Sequence, residues 1–266
     1  MAAAGGHVDE VVRVVGERLL PSGFEVYPLK IGWYNAVLPP SFHLPYHEDT
    51  LAVVVLSAPA MFEKLFIPFL QRHRREAARD PVDQCVSDTI SSCVSQSFPK
   101  QEVDVMYDYE MHPNRKPKFL AQTAAHVAGA AYYYQQCDVP NQPWGSKKMF
   151  GVCIHPRWGG WFAIRALLVF RGVESGAELQ QAPPVDSVGS RQQRVELLES
   201  FNLHWQDWAY RDIIRSEDSY SPRQREYFST PPGQRATLLQ RWGFSPEGHT
   251  QTQTVLNETE KIIKLS

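Results

Sequence analysis

Residues 50–57 read T-L-A-V-V-V-L-S, and the inner run Leu51, Ala52, Val53, Val54, Val55 and Leu56 contains no polar side chain. Alternate residues of a strand face opposite sides, so a run that is apolar at every position must be covered on both. This predicts a central strand held between two layers of other elements. Outward from it, residues 24–29 and 103–110 carry further strand patterns, while 62–75 and 81–98 have helix-compatible apolar spacing. Before them, Val8, Val11, Val12, Val15 and Leu19 recur on one face of a helix that Pro21 and Gly23 stop.

Further along, Pro113, Pro117 and the polar run Asn114, Arg115, Lys116 break the chain. Residues 120–136 lack proline, are rich in alanine and are predicted as a helix. A segment punctuated by Pro140, Pro143 and Gly145 leads into two apolar runs, 150–155 and 161–170. Pro156, Trp158, Gly159 and Gly160 between them predict a hairpin with an irregular turn. Residues 171–190 have the composition of an exposed loop, and 192–207 and 222–228 look helical. The expected organisation is one domain over residues 1–242, with a mobile tail at 243–266.

The 266 residues contain 27 Lys and Arg against 29 Asp and Glu, a formal charge of −2. No global basic field exists to hold a nucleic-acid backbone, so nucleic acid is not an expected partner. Cys85, Cys93, Cys137 and Cys153 are too few and too widely spaced for a disulfide scaffold or a zinc knuckle, and read as reduced thiols of a cytoplasmic protein. The first fifteen residues lack a basic stretch followed by an apolar one, and no run of about 18 apolar residues occurs. Secretion and membrane association are not expected. The phosphate-loop, dinucleotide, zinc-protease and serine-elbow signatures are all missing.

Residues 120–134 read L-A-Q-T-A-A-H-V-A-G-A-A-Y-Y-Y. As one small-residue helix ending in three tyrosines, the stretch has two readings. One is close helix packing; the other is a flat pocket wall for a large planar ligand, with tyrosine hydroxyls and Gln122 or Gln135 as polar contacts. Arg165 follows the apolar residues 161–164, where a guanidinium must reach the sheet edge or a buried acceptor. One reading pairs it internally with Asp207 or Asp212. Arg211, in W-Q-D-W-A-Y-R-D, and Arg235, in S-T-P-P-G-Q-R, follow aromatic or proline-rich sequence. Singly each reads as structural; if the three converge, their forks make a site for carboxylates. Cys153, between Val152 and Ile154, reads as a packing cysteine. Any enzymatic chemistry is expected to come from bound cofactors.

Seven stretches together are specific: G-F-E-V-Y-P from Gly23, W-Y-N-A-V-L-P-P-S-F-H-L-P from Trp33, D-P-V-D-Q-C-V from Asp80, D-Y-E-M-H-P-N-R from Asp108, A-Q-T-A-A-H-V-A-G-A-A-Y-Y-Y from Ala121, G-V-C-I-H-P-R from Gly151 and G-G-W-F-A-I-R from Gly159. They resemble the cobalamin-processing family of methylmalonic aciduria and homocystinuria type C, over residues 23–242. The resemblance implies an α+β, nitroreductase-like sandwich with a mainly antiparallel central sheet flanked by helices and a cavity for cobalamin. It implies removal of cobalamin's upper axial ligand, by flavin-dependent (FAD or FMN) reductive decyanation of cyanocobalamin and by transfer of an alkyl group to glutathione.

Family contacts to cobalamin fall on Asp108, Phe119, Leu120, Ala121, Gln122, Tyr133, Tyr134, Gln135, Cys153 and Ile164, and those to glutathione on Arg165, Arg211 and Arg235. The resemblance implies that cobalamin binds base-off, its dimethylbenzimidazole tail displaced into a pocket and no protein side chain on cobalt. His126 and Gly129 resemble part of the motif that places a histidine on cobalt in some B12 enzymes, but Ala124 stands where that motif has Asp. His126 is therefore expected to hydrogen-bond at the pocket wall. Losing the lower base eases reduction of cobalt. In dealkylation a thiolate attacks the alkyl carbon and cobalt leaves as Co(I), so no side-chain nucleophile is required. The implied partners are the type D cobalamin-trafficking protein (MMADHC) and methionine synthase with its reductase. A non-catalytic cobalamin carrier is the alternative. A flavin reductase acting on small organic substrates is a third reading, disfavoured because no separate Arg or Lys cluster awaits a flavin phosphate.

Overall fold

A computed structural model of the chain describes residues 4–72 and 80–244. Its centre is a four-stranded, wholly antiparallel sheet in the order β1-β2-β6-β3, made of β1 (Phe24–Lys30), β2 (Thr50–Ser57), β3 (Val103–Tyr107) and β6 (Ala163–Glu174). A ribbon of β4 (Tyr132–Tyr134) and β5 (Val152–Ile154) forms a second sheet. The helices are α1 (Ala4–Leu19), α2 (Ile31–Ala36), α3 (Ile67–Arg72), α4 (Pro81–Ser97), α5 (Ala121–Val127), α6 (Arg191–Leu203), α7 (Pro222–Ser229) and α8 (Arg235–Arg241). A widened turn over Phe62–Phe66 precedes α3.

Every residue of β2 is buried, and its side chains divide by parity. Leu51, Val53 and Val55 join Ala166, Leu168 and Phe170 of β6 in one cluster with α1, α3, α4, α7 and α8. Ala52, Val54 and Leu56 join Leu167 and Val169 in a second, with α2 and α5. The double cover expected of residues 50–57 is thus present, and the α+β class with an antiparallel sheet holds. A third cluster packs α6 against the β4–β5 ribbon.

Three expectations need correction. The helix predicted over 120–136 ends at Val127, because Gly129 turns the chain with φ 75°, in the left-handed region. A Cβ there would also lie 2.6 Å from the carbonyl oxygen of Ala182. The three tyrosines beyond it form a strand, the conformation aromatic side chains favour. The hairpin predicted across 150–170 closes only locally, through paired bonds between His155 and Gly159 (2.8 and 2.9 Å); β5 then pairs with β4, and β6 with β2 and β3. The loop predicted over 171–190 starts late, since β6 runs to Glu174. It is also only partly exposed: Ser175 and Val188 are buried, because Ser175 bonds Asp49 and the Val188 N–H donates to Tyr134. Of the tail, residues 245–266 lie outside the described residues, as do 73–75 of the helix expected over 62–75.

Candidate functional site

Helix α5 is clamped onto the β4–β5 ribbon by its polar side chains. Gln122 Oε1 accepts the Cys153 N–H at 2.9 Å and its Nε2 donates to the Gly151 carbonyl at 3.3 Å. His126 Nδ1 accepts the Tyr133 N–H at 3.0 Å. At the helix start, the Leu120 N–H donates to the Tyr34 hydroxyl at 2.7 Å. These bonds set Phe119, Leu120, Ala121, Tyr133, Cys153 and Ile164 in one apolar cluster. Leu120, Ala121, Tyr133 and Ile164 are only half-buried, so the cluster ends in an apolar surface that stays open. A cavity of about 700 Å³ adjoins it on the Phe119 side, walled also by Tyr34, Phe42, Tyr46, Met106 and Lys116.

His126 is locked in one tautomer. With Nδ1 accepting from Tyr133, the neutral ring carries its proton on Nε2, and burial holds the imidazole below the usual histidine range. Neither nitrogen then offers a free lone pair, which agrees with a hydrogen-bonding role rather than a ligating one. Cys153 is buried, its thiol pushed far up by desolvation, and Sγ lies 3.5 Å from the Gln122 carbonyl. It packs, as the apolar neighbours in sequence predicted.

Two residues expected to contact the ligand lie outside that apolar cluster. Alternation along β4 puts Tyr133 toward α5 and Tyr134 on the opposite face, wholly buried in the third cluster. There the Tyr134 hydroxyl donates to Asp186 at 2.7 Å and accepts the Val188 N–H at 2.8 Å, leaving no side-chain surface for a ligand. The Gln135 side chain is exposed beyond the strand end, where the residue caps a short turn with Asp138.

The arginines are placed by different means. Val55 pairs with Ala166 and Leu56 with Ile164, so Arg165 is the extra residue of a β-bulge. Bulges bend a strand and re-aim a side chain. Arg165 is 8% exposed, its Nε donates to Ser57 Oγ at 2.9 Å, and among the described residues no carboxylate lies within ion-pair range of it. The pairing with Asp207 or Asp212 is not formed: Asp212 accepts the Trp161 indole N–H at 2.6 Å and Asp207 caps Ala209. Asp108 follows β3, and its N–H donates to the Arg165 carbonyl at 3.1 Å. The surrounding protein raises its carboxyl, against the pull of the Arg165 charge. Its side chain is nevertheless exposed, so solvent moderates that shift.

Arg235 bonds Asp80, the N-cap of α4, at 3.2 Å and lies over the Tyr227 ring. Asp83, one turn into α4, feels the charges of Arg165, Arg235 and Asp108 together, which puts the first two arginines in one electrostatic neighbourhood. Arg211 stands apart. Its guanidinium lies 5.1–5.5 Å from the ring centres of Trp161, Trp208, Tyr210 and Tyr220. Tyr220 contacts Phe228, and Phe228 lies beneath Arg235, so an aromatic row joins the two arginines. The W-Q-D-W-A-Y-R-D segment signals part of this cage; Trp161 and Tyr220, distant in sequence, do not.

The sequence pattern of the family described as "Methylmalonic aciduria and homocystinuria type C family" spans residues 23–239. The chain belongs to this family. Relatives named "Cyanocobalamin reductase / alkylcobalamin dealkylase" include one from Danio rerio, 61% identical over 92% of this chain and 98% of its own length. One from Homo sapiens is 52% identical over 87% of this chain and 82% of its own length. The crystal structure of a Caenorhabditis elegans B12-trafficking protein CblC, 30% identical, matches the fold with a TM-score of 0.79 over 92% of this chain and 99% of that one. The sandwich described above is therefore the architecture of the methylmalonic aciduria and homocystinuria type C family. No helix among its described residues is long and apolar enough to cross a membrane.

Proposed function

We infer that this protein is a cobalamin-processing enzyme, a cyanocobalamin reductase and alkylcobalamin dealkylase that removes the upper axial ligand. Membership of the family and the names of its vertebrate relatives support that activity. In our reading the corrin lies on the half-open surface of Leu120, Ala121, Tyr133 and Ile164, with Phe119, Gln122, His126 and Cys153 fixing that surface from behind and Asp108 at its margin. The cavity beside Phe119 offers room for a displaced nucleotide tail. Glutathione is the alkyl acceptor and acts in the cytoplasm. Hand-off to the type D trafficking protein and to methionine synthase with its reductase completes the proposal.

The observation that carries the glutathione assignment is the bulged Arg165. A guanidinium that is almost buried, held by one neutral hydroxyl and, among the described residues, without a carboxylate in ion-pair range, is suited to an anionic ligand. Arg165 turns to Ser57 and the α4 side while Ile164 faces α5, so in our reading the tripeptide binds close to the start of β6 and reaches round the strand to bring its sulfur toward the upper face. Arg235 would give up Asp80 for a second carboxylate, and the cation cluster would favour the thiolate. The arginines at this site are engaged with Ser57, Asp80 or aromatic rings. We assign none of them to a flavin phosphate, and reduced flavin enters our scheme as a diffusing electron donor.

The test is anaerobic absorbance titration with methylcobalamin followed by glutathione. A base-off spectrum, then Co(I) and S-methylglutathione beyond one equivalent, is expected. Arg165→Gln should keep the base-off spectrum and lose most thiol-dependent turnover at subsaturating glutathione; an unchanged rate would remove Arg165 from the site. Binding without turnover in the parent protein would favour a carrier.

A further inference from the structure

A buried polar network outside the proposed contacts joins β1 to the turn against which Arg211 rests. His155 is 1% exposed. Its Nδ1 accepts the N–H groups of Arg157 (3.1 Å) and Trp158 (3.3 Å), so its proton sits on Nε2, 3.0 Å from the Tyr27 hydroxyl and 3.3 Å from Glu25. Glu25 also accepts the Tyr27 O–H at 2.7 Å and the Trp158 indole N–H at 2.9 Å. Burial alone would raise this carboxyl, but the bonds from His155, Tyr27 and Trp158 hold it down, at about 2. Each member is satisfied by the others, the condition under which a buried network fixes one geometry.

The other side of the same turn is built against Arg211. The Gly160 N–H donates to the Arg211 carbonyl at 2.9 Å, and the Arg211 guanidinium donates back to the Gly160 carbonyl. A Cβ on Gly159 would lie 2.5 Å from the Arg211 carbonyl oxygen, and one on Gly160 2.7 Å from its Cα, so two glycines are needed for this approach. Trp161, which ends the turn, provides one wall of the aromatic cage. Arg211 Nε is buried with no hydrogen-bond partner. The guanidinium is therefore aimed by rings and by one turn carbonyl, and its direction depends on where the turn sits.

We propose that Glu25 and His155 are positioning residues for Arg211, fixing the 155–161 turn on which its guanidinium rests and thereby setting affinity for the anionic cosubstrate. This rests on the glutathione reading given above. Neither residue touches Arg211, so the effect passes through the turn.

Glu25→Gln, with Tyr27→Phe as a milder variant that keeps the charge, tests this against Arg211→Lys. Expected for Glu25→Gln is a rise of roughly fivefold or more in the glutathione KM of methylcobalamin dealkylation, the scale of a small misplacement, with kcat and methylcobalamin affinity nearly unchanged. Tyr27→Phe should move KM the same way by less. In 15N spectra the indole of Trp161, which does not contact Glu25, should shift along with that of Trp158. A shift of Trp158 alone with an unchanged KM would overturn the proposal, as would kcat, KM and cobalamin affinity worsening together. If Arg211→Lys leaves the glutathione KM unchanged, the glutathione reading fails at Arg211. The Trp161 response still decides whether Glu25 governs the turn.

Discussion

Asp83 senses Arg165, Arg235, Asp80 and Asp108 at once. Burial and then the two negative neighbours push its carboxyl up to about 6 against the two arginines. The folded chain thus holds this proton more tightly than the unfolded one, and stability falls as pH rises from the ordinary carboxylate range through 6. Asp83→Asn should therefore raise the unfolding free energy at pH 7.5 by about 1–2 kcal/mol, allowing for partial screening. Urea unfolding should show the difference vanish below about pH 4. Tyr134 makes the opposite case. Its hydroxyl serves Asp186 and Val188 inside a core, so Tyr134→Phe should cost about 1–3 kcal/mol by leaving buried partners unsatisfied. A spectroscopic titration should find cobalamin affinity unaltered. Three adjacent tyrosines in a sequence do not reveal which faces a ligand. The secondary structure that sets their parity decides it.

Among elements, those whose signal is local are legible in the sequence alone. Helix α1 follows from its valine spacing and α4 from its span after Asp80, whose side chain accepts from Val82 and Asp83. What escaped was decided by distant partners. The alanine-rich stretch has high helix propensity on either side of Gly129, yet the chain turns there in the left-handed region, where a Cβ would meet the carbonyl of Ala182 from a remote segment. Gly129→Ala should cost about 2 kcal/mol or more, from the left-handed backbone and that contact together. Thermal melts should register it, accompanied by weaker cobalamin binding, since β4 carries Tyr133. The bulge at Arg165 was equally illegible: the arginine was visible in sequence, but the register that makes it the extra residue exists only across β2 and β6.

For the molecule as a whole, the double-sided apolar run of β2 was enough to anticipate a covered antiparallel sheet, and the family motifs to anticipate its function. They could not convey what unites the parts. The β4–β5 ribbon shares no ladder with the main sheet; α5 grips it by Gln122 and His126, and the turn after β5 is tied to β1 through His155 and Trp158. The strand order has a consequence for synthesis. β2 pairs on its inner side with β6, Val53 opposite Leu168, more than a hundred residues later. On the ribosome β2, apolar on both faces, emerges with only β1 beside it and must wait, through most of translation, for the strand that joins it to β3. A chain released before residue 174 would never receive all of it. Premature stops before residue 174 should thus yield aggregate or degradation rather than a shortened, partly working protein.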